Sequence, residues 1–343
     1  MVWGAASSIV TIKLNRKITM KAVVTGGAGF IGSHLVERLL NKGSTVTVID
    51  NLSTGRIENI KEFVSDIEFI KQDLSIPGKW QKEIEKSDVV FHLASLADIV
   101  PSIEKPSIYY SSNVTSTLHV AEAAKVNSTK VIYAASSSCY GIPDQYPTKE
   151  NAEIRAEYPY AMTKRLGEEL ILHWGKIYKF PVVSTRFFNI YGTKSRTSGT
   201  YGAVLGIFLA QKLAGKPYTV VGDGTQTRDF TYVTDIADGL VQAYHKNITS
   251  DIFNLGSGQT YSINKLVSLL GGEVVYIPKR PGEPNVTFAD ISKAKGYLDY
   301  SPSISLEEGV QKVLDNIDYW RDAPVWTPES IAAATQAWFK QLG

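Results

Sequence analysis

Tyr160 and Lys164 stand four residues apart within Tyr-Pro-Tyr-Ala-Met-Thr-Lys, a spacing that puts both side chains on one face of a helix. A phenol so placed can exchange a proton with a bound hydroxyl, and a nearby ammonium favours the phenolate. Upstream, the serine tract Ser136-Ser137-Ser138 ends an apolar strand and offers a hydroxyl to the same chemistry. The spacing alone decides little, because Tyr261 and Lys265 repeat it. That second pair follows the turn Gly256-Ser-Gly258 and begins a late helix that Ser262 is placed to cap. Context separates the two pairs.

The context begins at the glycines. Lys21-Ala-Val-Val-Thr25 is a short β-branched run, followed directly by Gly26-Gly27-Ala28-Gly29-Phe30-Ile31-Gly32 and then by helical spacing of Leu35, Val36, Leu39 and Leu40. Strand, glycine turn and helix are what a dinucleotide pyrophosphate needs. Gly26 allows the tight turn, Gly29 lets backbone approach phosphate, and Gly32 lets helix pack on strand. The helix N-terminus supplies free N–H groups and partial positive charge. A second strand, 44–49, ends at Asp50, the position of a ribose-binding acid. Asp50 would repel a 2′-phosphate, which favours NAD over NADP; Arg56 nearby argues the other way.

Tyrosine, lysine and glycine turn therefore need one sheet to bring them together. Apolar runs at Ile67–Ile70, Asp88–Ala94, Lys130–Ala135 and Val182–Phe188 alternate with helical patterns at Tyr109–Ala124 and Pro159–Tyr178. This βαβ alternation predicts a mostly parallel, doubly wound Rossmann-type sheet with helices on both faces. After Asn189 the texture changes: a glycine- and serine-bearing segment at 192–202, the turn Gly222-Asp223-Gly224, and the turn-rich Pro278–Pro284. These predict a smaller α/β domain over the carboxyl ends of the strands, where open sheets bind ligands. The expected division is 20–188 for the cofactor domain, with 233–256 returning to it, and 189–232 plus 257–313 for the substrate domain. Residues 314–343 read as a C-terminal helical tail.

Composition narrows the class. The 343 residues are 43% hydrophobic and 20% charged with a formal net charge of +2, as expected of a soluble enzyme without a nucleic-acid surface. A single cysteine, Cys139, excludes an internal disulfide framework and fits a reducing, cytoplasmic setting. No apolar stretch is long enough to span a membrane, and no metal site is expected. In residues 1–19 the basic residues follow the apolar part, the reverse of a secretory signal. Met20 precedes the first strand directly, so 1–19 read as a leader without a role in the fold.

Between Met20 and Val313 the chain resembles the extended short-chain dehydrogenase/reductases of the nucleotide-sugar epimerase/dehydratase group, especially the UDP-glucose and UDP-N-acetylglucosamine 4-epimerases. The motifs that carry this are TGGAGFIGSHL (25–35), DNLSTG (50–55), DL (73–74), FHLAS (91–95), ASSSCYG (135–141), YAMTK (160–164), RFFNIYG (186–192), GDGTQTRDFTYVTD (222–235) and RPGEP (280–284). The resemblance makes Tyr160 the catalytic base, Lys164 its electrostatic partner on the nicotinamide ribose, and Ser136 the hydroxyl bridging to substrate, with Ser137 a rival. Around NAD it places Gly26, Gly29, Phe30, Ile31, Gly32, Asp50, Asn51, Asp73, Leu74, Leu93, Ala94 and Phe187. At the substrate it places Asn113, Asn189, Arg228, Arg280, Glu283 and Thr287, with the arginines on a diphosphate, Glu283 on the nucleotide ribose and Thr287 beside C2 of the sugar. His92 is expected to orient backbone and not to move protons.

The reaction implied is oxidation at C4, rotation of the keto sugar and reduction from the other face, with NAD restored each turnover. In the family, dehydratases carry an Asp-Glu pair and decarboxylases a Glu where this chain has Ser137 and Ser138, and neutral serines serve neither reaction well. A dehydratase, a keto-sugar reductase, a UDP-glucuronate 4-epimerase and an NADP-sensing regulator remain the alternatives; intact Tyr160, Lys164 and the serines speak against a sensor. The family also implies a homodimer paired through helices 109–124 and 159–178.

Overall fold

The computed structural model describes residues 20–195 and 203–343. The leader and most of the segment 192–202 lie outside these residues. Six strands run in chain order: β1 (Lys21–Thr25), β2 (Thr45–Asp50), β3 (Ile67–Lys71), β4 (Val89–His92), β5 (Lys130–Ser136) and β6 (Val182–Phe187). With an edge strand, Ser250–Leu255, they form one seven-stranded sheet ordered Ser250–Leu255, β6, β5, β4, β1, β2, β3. Every pairing is parallel. Strands buried on both faces must be apolar almost throughout, and β4 and the middle of β5 are so, whereas β6 buries Ser184, Thr185 and Arg186.

The order reverses between β1 and β4, which opens the ligand crevice of such sheets at the carboxyl ends of these two strands. Register sets Thr25 beside both Ile49 and His92. On the other side Ser136 lies beside Phe187, which lies beside Leu255. Glycine turn, serine tract and the RFFNIYG motif thus reach one edge.

Two expected elements differ in detail. β4 ends at His92, two residues earlier than its apolar run, because the Leu93 and Ala94 N–H groups turn onto the Thr25 hydroxyl at 3.1 and 3.2 Å. The helix expected at Tyr109–Ala124 is three pieces: Pro106–Tyr110, a wide turn at Ser111–Thr115, and Ser116–Asn127. Within it the Thr117 hydroxyl donates to the Asn113 carbonyl at 2.6 Å and Ser116 bonds back to Ser112, side-chain competition of the kind that loosens a helix.

One apolar cluster gathers Val24, Leu35, Val48, Phe91, Ile132 and Leu240 around the sheet, and a second joins Leu205, Phe208, Tyr218, Leu266, Val310 and Trp320, with Ile331 from the C-terminal segment. It lies beyond the sheet, and the two clusters meet through Ile31 and Ile190, which pack against both. Among the described residues, no helix is long and apolar enough to cross a membrane.

Candidate active site

Along the carboxyl edge of the sheet runs one cavity of about 690 Å³. At its first end Gly26 adopts φ +70°, and a Cβ there would fall 2.8 Å from the Ala94 nitrogen; the turn is open only to glycine. A Cβ at Gly32 would fall 2.1 Å from the Gly26 carbonyl, so the helix Phe30–Asn41 is packed hard onto the turn. No side chain caps that helix, which leaves its first N–H groups for an anion.

Asp50 closes the turn from below. Its carboxylate accepts the N–H of Ala28 at 3.0 Å and of Leu52 at 2.8 Å. Burial outweighs these bonds and raises its pKa. Asn51 donates to Asp73 at 3.2 Å, and Asp73 accepts from the Ser75 hydroxyl and N–H. Burial of Asp73 acts upward, yet the Ser75 and Asn51 bonds together hold its pKa low. Phe30, Ile31, Leu74, Leu93, Ala94 and Phe187 complete this part of the wall. The donor set and the space fit a dinucleotide.

Thr25 supports the cradle from behind. Its hydroxyl oxygen accepts two N–H groups, from Leu93 and Ala94, so its proton goes to His92 Nδ1 at 2.8 Å. That assigns the imidazole proton to Nε2, which donates to Thr117 at 3.0 Å. Burial first, and the Lys164 charge second, push the His92 pKa down to about 3. The imidazole is a neutral strut.

The helix Pro159–Tyr178 carries Tyr160 and Lys164 to the middle of the cavity. It sits close to β5 because Gly167 faces Tyr133; a Cβ at Gly167 would meet the Tyr133 hydroxyl at 2.3 Å. A buried ion pair fixes it to β6. Glu168 accepts from Arg186 Nη2 at 2.7 Å, Ser184 Oγ at 2.7 Å and Arg165 Nη1 at 2.7 Å. Both Glu168 and Arg186 are 1% exposed, so this pair is a registration device more than a source of net stability.

The Tyr160 hydroxyl lies close enough to the Ser136 and Ser138 hydroxyls for both to favour its ionised form. Ser138 in turn donates its hydroxyl to Ser136 Oγ at 2.8 Å and its N–H at 3.2 Å. Burial raises the Tyr160 pKa; the nearby Ser136 hydroxyl lowers it and the Asp98 carboxylate raises it further. The spacing led us to expect the Lys164 charge on this phenol. Instead the ammonium donates to Ser95 Oγ at 3.4 Å and lies 4.9 Å from the Tyr133 ring centroid. Burial pushes its pKa down to about 7, against an upward pull from Glu168. The four-residue spacing brings both groups to one cavity without making them partners.

At the far end Arg228 is buried, donating to Glu283 Oε1 at 2.8 Å and to the Thr227 carbonyl at 2.9 Å. Arg280 lies 3.7 Å from the other Glu283 oxygen. Thr287 donates to Asn189 Oδ1 at 2.5 Å and accepts the Asp229 N–H at 3.1 Å. Arg228, Arg280, Glu283, Thr287, Asn189 and Ser137 all line the cavity.

Asn113 does not. Its amide is spent internally: Oδ1 accepts from Ser95 and Leu96, and Nδ2 donates to the Leu96 carbonyl and to Thr163. It ties the loop after β4 to the catalytic helix and stays buried at 2% exposure. Tyr261, the competing tyrosine, is half-buried with its hydroxyl on Gln259, and Lys265 pairs with Glu307 at 2.8 Å. Asp235 accepts from the Ser303 N–H and hydroxyl and the Ile304 N–H and so fastens the loop at 303–304.

Several cavity residues were given no site role from sequence. Ser95 and Ser138 lie inside the FHLAS and ASSSCYG motifs and Tyr158 stands two residues before Tyr160, so position alone pointed to them. Tyr319, Trp326 and Trp338 come from the tail and reach the cavity only through the fold.

The family model described as NAD dependent epimerase/dehydratase matches residues 22–256. The chain belongs to this family. Its cofactor, by family and by the fit of the cradle, is NAD. A protein of Methanocaldococcus jannaschii described as a putative UDP-glucose 4-epimerase is 34% identical over 302 residues, covering 85% of this chain and 97% of the relative. The solved UDP-N-acetylglucosamine 4-epimerase from Methanobrevibacter ruminantium, in complex with UDP-N-acetylmuramic acid, superposes with a TM-score of 0.81 at 32% identity, covering 87% of this chain and 99% of that one. The UDP-glucuronic acid 4-epimerase from Bacillus cereus, bound to UDP-glucuronic acid and NAD, gives a TM-score of 0.80 at 35% identity, covering 88% and 99%.

Proposed function

We propose that the protein is a nucleotide-sugar 4-epimerase that interconverts UDP-glucose with UDP-galactose, and UDP-N-acetylglucosamine with UDP-N-acetylgalactosamine. The observation that carries the reading is that Ser136 and Tyr160 line one cavity together with a dinucleotide cradle and a pair of arginines.

In this reading Gly26, Gly29, Gly32 and Asp50 hold the pyrophosphate and ribose of NAD, and Lys164 holds the nicotinamide ribose. When bound, NAD supplies the hydride acceptor at C4 and returns the hydride afterwards. Arg228 and Arg280 fix the sugar's diphosphate, since a guanidinium fork can bind two oxygens at once. Ser136 accepts or donates at the C4 hydroxyl and passes its proton to Tyr160, which needs a depressed pKa to act as base at neutral pH. Burial works against that; the positive charge of oxidised nicotinamide works for it. Ser137 and Ser138 supply neither the acid nor the base that elimination of water requires, which supports epimerisation over dehydration.

We also read the molecule as a homodimer. The helices offered for pairing expose large apolar side chains: Tyr110 at 51%, Met162 at 46% and Ile177 at 54%, an arrangement suited to a second copy. Residues 20–188 with 233–256 serve as the cofactor unit, and 189–232 with 257–313 as the substrate unit.

The test is product analysis. Purified protein is incubated with UDP-glucose, UDP-N-acetylglucosamine, UDP-glucuronate and dTDP-glucose, with no cofactor added beyond NAD. C4 epimers formed without net NAD consumption are expected from the first two. A keto-deoxy sugar or a decarboxylated pentose as the product would overturn the reading.

A further inference from the structure

The tail is part of the active site. Trp338, on the helix Gln336–Leu342, is 4% exposed, and its indole Nε1–H donates to the Pro281 carbonyl at 2.8 Å. The Arg280 guanidinium lies 5.4 Å from the Trp338 ring centroid. On another side Tyr158 packs against the indole, centroids 6.3 Å apart and planes tilted 51°. Tyr158 then stacks on Tyr160 at 6.4 Å with planes 11° apart. Arg280, Trp338, Tyr158 and Tyr160 form one continuous line of ring contacts.

We propose that Trp338 is a positioning residue for the nucleotide sugar. It fixes the span between the guanidinium that binds the diphosphate and the phenol that handles the C4 proton. This rests on the nucleotide-sugar reading given above. Arg280 sits on a turn with Gly282 at φ +68°, and a long flexible side chain on such a turn must be ordered before it can bind an anion efficiently. Trp338 orders it twice. The ring face attracts the cation, and the indole N–H clamps the next peptide. Glu283, shared between Arg228 and Arg280, neutralises one of the two cations, so the cluster keeps a net positive charge for phosphate. The same segment also steadies the other end of the cavity. The Arg56 guanidinium lies 5.3 Å from the Tyr319 ring centroid, and the Tyr319 hydroxyl donates at 2.8 Å to Asn59, whose amide holds the Ala28 carbonyl of the glycine turn.

The experiment uses the full chain with its bound NAD and measures UDP binding by calorimetry alongside steady-state kinetics. Trp338→Leu keeps apolar bulk for folding but has no ring face and no N–H. It should weaken UDP binding about tenfold and raise KM for the nucleotide sugar in step, with kcat changed less than about threefold. Trp338→Phe restores the face and should recover UDP affinity to within about threefold of wild type. Bound NAD should be equal in all three proteins. UDP affinity for Trp338→Leu within twofold of wild type would overturn the proposal, as would a Trp338→Phe variant no better than Trp338→Leu. A wild-type protein that neither binds UDP nor converts any UDP-sugar would instead overturn the functional reading beneath it.

Discussion

The Lys164 ammonium stands 4.9 Å from the Tyr133 ring centroid, and its hydrogen bond goes to Ser95. A buried amine without a carboxylate in contact is costly to charge, and its pKa falls to about 7. In the proposed reading a ribose hydroxyl of the cofactor takes this amine, so its burial costs the fold most before cofactor binds.

That relationship has a measurable consequence. The folded pKa is about 7 against an ordinary 10.5, so the unfolded chain binds more protons between these values and stability rises with pH across that window. Removing the amine should therefore stabilise the NAD-free protein most at neutral pH and below. Lys164→Met should gain about 2 kcal/mol or more at pH 7, with the gain shrinking toward pH 10. Urea unfolding of wild type and variant at both pH values checks this; a variant less stable than wild type at pH 7 contradicts it. Turnover should be lost.

The two tyrosine–lysine pairs separate by mutation. Tyr160→Phe removes the hydroxyl from Ser136 and Ser138 and should lower kcat by about a hundredfold or more with bound NAD unchanged. Tyr261→Phe removes a hydroxyl that bonds Gln259 near the surface and should be almost silent. Comparable losses from both would refute the assignment.

His92 should make the protein acid-labile. Its pKa is pushed down to about 3 by burial, and then by Lys164, from an ordinary 6.5. The unfolded chain binds the extra proton, so stability is lost as pH falls from about 6.5 toward 3. Between pH 7 and pH 4 wild type should lose about 3 kcal/mol through this group alone. His92→Gln, which can still bridge Thr25 and Thr117, should start less stable at pH 7 and lose correspondingly less on acidification. Denaturant curves of equal acid sensitivity for the two proteins would exclude the mechanism.

What could be read from the chain was local. Gly26, Gly29 and Gly32 announce themselves because strand, turn and helix lie within a dozen residues, and Asp50 because it ends the next strand. Ser136 and Tyr160 are separated in sequence but sit at the ends of elements whose apolar patterns are plain. Asn113 misled because an amide facing a cavity and an amide buried against Leu96 and Thr163 look identical in sequence. Lys164 misled because helical spacing fixes a face and not the partner on it; the partner came from β5. Trp338 gave no signal at all. Its contact with Pro281 spans 57 residues, and an aromatic in a short amphipathic tail reads as ordinary packing.

Sugar choice should turn on Thr287. Its side chain lines the cavity and donates to Asn189, and its N–H donates to the Thr227 carbonyl at 3.1 Å, so the peptide is fixed while the side chain faces the substrate space. A threonine there leaves volume that a tyrosine would fill. If the C2 substituent of the sugar lies against this position, Thr287→Tyr should suppress turnover of UDP-N-acetylglucosamine by about a hundredfold while costing UDP-glucose less than about fivefold, because steric exclusion acts on one substrate alone. The lost Thr287–Asn189 bond adds a cost common to both sugars, which Thr287→Val isolates: it removes the hydroxyl without adding bulk and should lower both rates alike. Ratios of kcat/KM for the two sugars in wild type and the two variants provide the measurement. An unchanged ratio in Thr287→Tyr would remove Thr287 as the gate and leave the epimerase reading standing.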